Sequence, residues 1–183
     1  MSNKLQPIRT KKEIDRMKRA LKPGRDRLLF IVGINVALRI SDLLQLKVRD
    51  VRNKDVLPIR ETKTGKVKLI RLNNAVKRAV KAYVPEDAND DDYLFPSRKG
   101  KNKPITRQQA YNIIVDAAKR AGLDAENIGT HTMRKTFGYF AFKAGTPLAV
   151  LMALFNHANE RITSAYIGIT QDTVDSVYES VEL

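Results

Sequence analysis

In the segment IGTHTMRKTFGYFAFKAG (128–145), His131 and Arg134 stand three residues apart in what reads as the first turn of a helix, so both project from one face. An imidazole and a guanidinium placed in this way can reach one phosphate. The chain holds two histidines in all, and the other, His157, lies nine residues before Tyr166 in LFNHANERITSAYIG. In VALRISDLLQLKVRDV, Arg39 ends an apolar helix and is followed by Ser41 and Asp42, good starters for a new one. Lys63 and Lys66 sit on either side of Gly65 in the turn KTGK.

The chemistry open to such a set is attack on a phosphodiester. That group is a poor electrophile because its anionic oxygens repel nucleophiles, so a catalyst must neutralise the charge that grows on them. Two guanidiniums, here Arg39 and Arg134, suit this, since each planar fork can bond two phosphate oxygens and stays charged at any working pH. A tyrosine, with an ordinary pKa of about 10, is a weak nucleophile until surrounding cations favour the phenolate. His131 is placed to accept the proton of Tyr166 or to hold its orientation, and His157 to hydrogen-bond a phosphate oxygen. Taken singly, each residue has an ordinary reading: Arg39 as a solvent-facing charge, Lys63 as an exposed turn lysine, Tyr166 as a core aromatic. Only their order and spacing set them apart.

Composition narrows the partner. With 34 Lys and Arg against 20 Asp and Glu, the formal net charge is +14, a field that attracts polyanions and points to nucleic acid. A length of 183 residues suits a single domain, 1–183, around one hydrophobic core. The absence of cysteine excludes disulfides, thiolate chemistry and Cys-based zinc sites. No apolar run approaches a membrane span, and MSNKLQPIRTKKEIDRMKRAL at the N-terminus lacks the apolar core of a signal peptide. The expectation is a cytoplasmic, nucleoid-associated protein with no membrane partner, of bacterial or phage origin.

Several elements must position the candidate residues. The dense apolar run DRLLFIVGINVAL (26–38), after the break KPGR, reads as the central buried helix. Short stretches rich in β-branched residues follow, VRDV, VLPIRET and KVKLIRLN, and the last two flank a turn in which Gly65 can take positive φ. They predict a small antiparallel sheet near residues 48–72. Helices resume with NNAVKRAVKAYV and, beyond a polar, proline-bounded connection (85–104) whose acidic run reads as a solvated loop, with TRQQAYNIIVDAAKRAG. Thr106 and Gln109 form a capping box there and Gly122 is the stop. Thr146 and Pro147 are read as the cap and first-turn proline of the next helix. Gly168 ends the helix carrying Tyr166. Thr170 can then cap a tail helix within 169–183, with an apolar stripe at Val174, Val177, Tyr178 and Val181.

An arginine before an Asp-bearing helix start, a Lys-x-Gly turn, His-x-x-Arg, a histidine and a tyrosine nine residues on: in this order the pieces resemble the catalytic domain of the tyrosine recombinase (phage integrase) family. The resemblance runs from about residue 8 to residue 178, and ALRISDLLQL, HTMRKTFG and LFNHANERITSAYIGI all fit its local patterns. It implies a mixed α+β, mainly helical fold and a site-specific recombinase that cleaves and rejoins double-stranded DNA through a 3′-phosphotyrosyl intermediate. Carried over by position, it implies Arg39 and Arg134 as the arginine pair, His131 and His157 as the two histidines, Tyr166 as nucleophile and Asp42 as a supporting acid. For Lys63 it implies the proton donor to the leaving 5′ oxygen, with Lys66 the next candidate. Attack by a free 5′-hydroxyl would reverse the covalent step. Neither a metal nor another cofactor is called for.

Two departures accompany the resemblance. Asn156 stands where glycine is commoner. Typical members also carry a helical N-terminal DNA-binding domain, expected to be absent here, where residues 1–10 leave room only for a short arm. Site affinity would then come from the basic face, from a homo-oligomer, a tetramer on DNA, or from a separate DNA-binding partner. The tail helix would dock on its own domain or insert into a neighbouring protomer. Two other functions compete: a DNA-binding regulator with this fold and no strand exchange, and a type IB topoisomerase-like enzyme.

Overall fold

The computed structural model describes residues 5–169, 178, 179 and 181. Helix α1 (Lys11–Ala20) starts at a capping box between Thr10 and Glu13. Helix α2 (Arg25–Val36) is the expected buried helix, with Leu28, Leu29, Phe30 and Val32 at 1% exposure or less. It packs against α5 (Asn74–Tyr83) and α7 (Thr130–Lys143). The α2–α7 approach depends on a glycine, since a Cβ at Gly33 would lie 2.4 Å from the sulfur of Met133. Two single turns, α3 (Ile40–Leu43) and α4 (Val48–Val51), lead into the sheet.

The sheet has two antiparallel strands, β1 (Val56–Arg60) and β2 (Val67–Arg71), in register from Val56 opposite Arg71 to Arg60 opposite Val67. It is shorter than the sequence pattern suggests. Residues 48–51 form helix instead of strand, because the Asp50 carboxylate accepts the Lys47 N–H at 2.7 Å and so starts a turn that the β-branched residues alone would not favour. The hairpin closes through Glu61 N–H to Lys66 O and Gly65 N–H to Glu61 O, with Gly65 at φ +66°.

Helix α6 (Arg107–Arg120) has the Thr106–Gln109 capping box, and Gly122 follows it at φ +64°. A 3₁₀ turn (Ala125–Asn127) precedes α7. At α8 (Leu148–Phe155) the sequence reading is off by one position. Pro147 occupies the N-cap, with no side-chain cap bond, while Thr146 donates its N–H to Ala141 O and belongs to the turn closing α7. Helix α9 (Glu160–Ile167) is capped by Asn159 and ended by Gly168 at φ +75°. A small second core of Ala37, Leu151, Phe155 and Ile167 joins α7, α8 and α9. Gly138 permits it, since a Cβ there would meet Ile167 at 2.6 Å and Phe155 at 2.7 Å. Among the described residues no helix is long and apolar enough to cross a membrane. The tail helix expected within 169–183 lies largely outside the described residues; of its stripe, Tyr178 is helical and exposed and Val181 is exposed.

Candidate active site

Arg134 shows how helix ends make the site. Ala37 and Asn156, both with φ near +54°, end α2 and α8 in the left-handed conformation, which turns the last carbonyls out of the helices. The Arg134 guanidinium collects two of them, donating through Nη1 to Ala37 O and through Nη2 to Phe155 O at 3.1 Å. Such carbonyls carry the negative end of the helix dipole, a suitable partner for a cation. The guanidinium also lies 4.8 Å from the Phe155 ring and is 4% exposed. Burial lowers its pKa, an effect that Tyr166 and Glu61 oppose. Asn156 thus fulfils the backbone role of a glycine, since asparagine tolerates the left-handed region.

Arg39, the N-cap residue of α3, meets Arg134 at a shared carboxylate. Glu61 Oε1 lies 2.9 Å from Arg39 Nη1 and 3.9 Å from Arg134 Nη1. The same side chain accepts from Lys68 Nζ at 3.0 Å and from the Thr64 hydroxyl at 2.9 Å. Glu61 is completely buried. Burial alone would raise its pKa, but the bonds from Lys68 and Thr64 and the charges of Lys68 and Arg39 hold it below the ordinary value. Asp42, 2% exposed, accepts the Thr62 N–H at 3.0 Å and so ties α3 to the residue preceding Lys63.

Tyr166 is half-buried on α9. Its ring centroid is 4.9 Å from that of His157 and 5.3 Å from that of Phe155, and its hydroxyl lies within the field of the Arg134 charge. Burial raises its pKa, while Arg134 and then Arg39 pull it back down. His157 Nδ1 lies 3.1 Å from the Thr163 hydroxyl, which itself donates to Asn159 O at 3.3 Å. A Thr163 hydroxyl that donates to Asn159 O accepts from Nδ1–H, and in that tautomer Nε2 of the neutral ring is an acceptor. Burial, Arg134 and Arg39 all lower the pKa of His157. His131, in the first turn of α7, has its pKa lowered by burial of part of the ring and by the charges of Lys135, Arg134 and Arg39. The start of α7 is fixed by buried Thr132, whose hydroxyl accepts the Gly129 N–H at 3.1 Å.

The hairpin reaches over the other side of the site. Lys68 Nζ donates to Leu154 O at 2.7 Å, and Lys66 Nζ to Asn156 Oδ1 at 2.6 Å, so the hairpin clasps the end of α8 just before His157. Lys63 is exposed at the turn and, among the described residues, makes no hydrogen bond or ion pair. The fold therefore brings Arg39, Arg134, His157 and Tyr166 into direct or shared contact, with His131 within their field and Asp42 beneath the turn. Lys63 stands apart.

Two residues of the site were not found from sequence. Glu61 is the lone acid between Asp55 and Glu86, in a stretch crowded with Lys and Arg, and that isolation was the available signal. Lys135, next to Arg134, is 2% exposed and stands 5.2 Å over the Tyr166 ring. Nothing local marks it out.

The chain is similar to known proteins over nearly its whole length. The profile of the phage integrase family matches residues 8–172. A probable integrase/recombinase of Bacillus subtilis (strain 168), YoeC, is 45% identical over 177 residues, which is 96% of each chain. The tyrosine recombinase XerD of Caulobacter vibrioides is 31% identical over 150 residues, covering 78% of this chain and 49% of that one. The crystal structure of XerA recombinase superposes with a TM-score of 0.78 at 20% identity, covering 96% of this chain and 65% of that one. The chain thus spans the length of one relative and about half of another.

Proposed function

Because the chain belongs to the phage integrase family, we propose that it is a site-specific recombinase that cleaves and rejoins double-stranded DNA through a 3′-phosphotyrosyl intermediate. The carrying observation is Tyr166, in ring contact with His157 and within the field of Arg134, a guanidinium locked by two helix-end carbonyls and joined to Arg39 through Glu61. A nucleophile is thereby held against the group that would bind the phosphate.

In this reading Arg39 and Arg134 hold the non-bridging oxygens of the scissile phosphate and stabilise the charge that grows on them. Tyr166 attacks phosphorus, and the bond to the 5′ oxygen breaks. The tyrosine proton passes to a neutral imidazole. His131 is one acceptor, and the Nε2 lone pair of His157, whose ring is in contact with Tyr166, is the other. Once protonated, His157 can donate to a phosphate oxygen. The departing 5′ alkoxide takes a proton from Lys63, the turn lysine with an unengaged amine, whereas Lys66 is held by Asn156. Attack by a 5′-hydroxyl on the phosphotyrosine runs the steps backwards. Exchange between two duplexes breaks four strands, so the reading includes a homotetramer on DNA, each protomer contributing residues 1–183 as one catalytic unit.

The test is covalent trapping on a nicked duplex, in which the 5′ fragment diffuses away. Wild type should accumulate adduct and Tyr166→Phe none, with DNA binding nearly intact. An adduct that persists in Tyr166→Phe moves the nucleophile elsewhere, with Tyr178 next in line. Exchange between two sites, measured separately, distinguishes a recombinase from a relaxing enzyme or a pure binder.

A further inference from the structure

Lys135 is a buried cation for which the steps above have no use. Among the described residues, no carboxylate lies within ion-pair distance of it. Its ammonium donates to Leu5 O at 2.6 Å and faces the ring of Tyr166. A charge buried without a counter-ion works against folding, unlike an apolar side chain of the same length. Its placement points to the ring it faces.

The carbonyl that holds it belongs to a strap, residues 5–9, fastened at several points. Gln6 N–H donates to Asn127 O at 2.8 Å, and Ile8 N–H to the Thr136 hydroxyl at 2.9 Å. Arg9 Nη2 donates to Gly168 O at 3.1 Å, at the end of the helix that carries Tyr166. Pro7 packs on the same glycine, where an added Cβ would lie 3.1 Å from its ring. The strap therefore touches both α7, beside Lys135, and the end of α9.

We propose that Lys135, held by the Leu5 carbonyl of the strap, favours the phenolate of Tyr166 from the ring side and so sets the reactivity of the nucleophile. The inference rests on Tyr166 being that nucleophile. A phenolate spreads its charge into the ring, so a cation over the ring face attracts it more strongly than it attracts the neutral phenol. In a site shielded from water this difference is large. The charged and titratable groups near Tyr166 are Arg134, Arg39, His157 and Lys135, and His131 senses Lys135 from the start of α7. Bound phosphate offsets the two guanidiniums. Lys135, turned to the strap and buried against the ring face, keeps its effect when DNA is present.

The experiment measures the rate of covalent capture against pH in the full chain for wild type, Lys135→Met and Lys135→Gln. Glutamine retains a donor for the Leu5 carbonyl without the charge, which separates anchoring from electrostatics. Both variants should bind DNA as wild type does, capture about tenfold more slowly at neutral pH, and have the rising limb displaced upward by about one unit, since one unit corresponds to a factor of ten. Replacing tyrosine by 3-fluorotyrosine, a more acidic phenol, should restore the neutral rate of both. A wild-type profile in Lys135→Gln overturns the proposal, as does an equal loss at every pH that fluorotyrosine does not repair. Adduct formation by Tyr166→Phe would instead sink the assignment of the nucleophile itself.

Discussion

Substituting Glu61 by glutamine tests the core of the site, because it removes one charge while keeping the shape. The carboxylate is fully buried and faces Arg39 at 2.9 Å, Lys68 at 3.0 Å and Arg134 at 3.9 Å, cations whose side chains are 19%, 23% and 4% exposed. Breaking a buried ion pair from one side costs roughly 3–5 kcal/mol, because the remaining charge is left uncompensated. Glutamine can still accept from Thr64 and Lys68, which places the expected loss at the low end, about 3 kcal/mol. For a domain of this size, roughly 2–4 °C per kcal/mol converts this into a fall of about 6–12 °C in melting temperature. The pKa of Glu61 is depressed in the folded state. Its stabilisation is therefore present above its ordinary value of about 4.5 and lost as pH falls through the lower folded value. Thermal melts from pH 7 downward should show the gap between wild type and Glu61→Gln narrowing below about 4.5. In the capture assay the variant should bind DNA but cleave slowly, since Arg39 loses its fixed partner. Equal melting temperatures at pH 7, or a gap that does not narrow in acid, would refute this account of the carboxylate.

Three further predictions use the same assays. Arg39→Lys and Arg134→Lys keep the charge but lose the fork, so each should lower cleavage about a hundredfold, with affinity changed much less; equal losses would mean that they only hold DNA. Lys63→Ala should slow capture on an ordinary duplex by about a hundredfold or more, and a 5′-thio leaving group, which departs without a proton, should restore it. Lys66→Ala should show no such rescue. Gly138→Ala places a methyl against Ile167 and Phe155, so it should destabilise by about 1–3 kcal/mol and, by displacing α9, reduce capture more than binding. A Gly138→Ala protein with wild-type melting and capture would show that the α7–α9 contact yields freely.

What could be read from sequence was whatever depends on residues a few positions apart. The capping boxes at Thr10–Glu13 and Thr106–Gln109, the turn at Gly65 and the helix ends at Gly122 and Gly168 follow from local hydrogen bonding and backbone freedom. The buried helix α2 follows from its apolar run, and the candidate set Arg39, Lys63, His131, Arg134, His157 and Tyr166 was carried over by position from motifs that resemble the tyrosine recombinase family. Tertiary structure decided which charges meet. Arg39 and Arg134 are 95 positions apart, and nothing local says that Glu61, among all the acids, is the one sealed between them. Lys135 reads as an ordinary helix lysine until α9 lays a ring under it and the strap supplies a carbonyl. The strand-like VRDV became helix through a single Asp50 bond to the Lys47 backbone. In each case the energy of a buried polar group depends on partners brought from distant parts of the chain. Periodicity cannot encode such partners, because it records which face of an element is apolar and not what that face will meet.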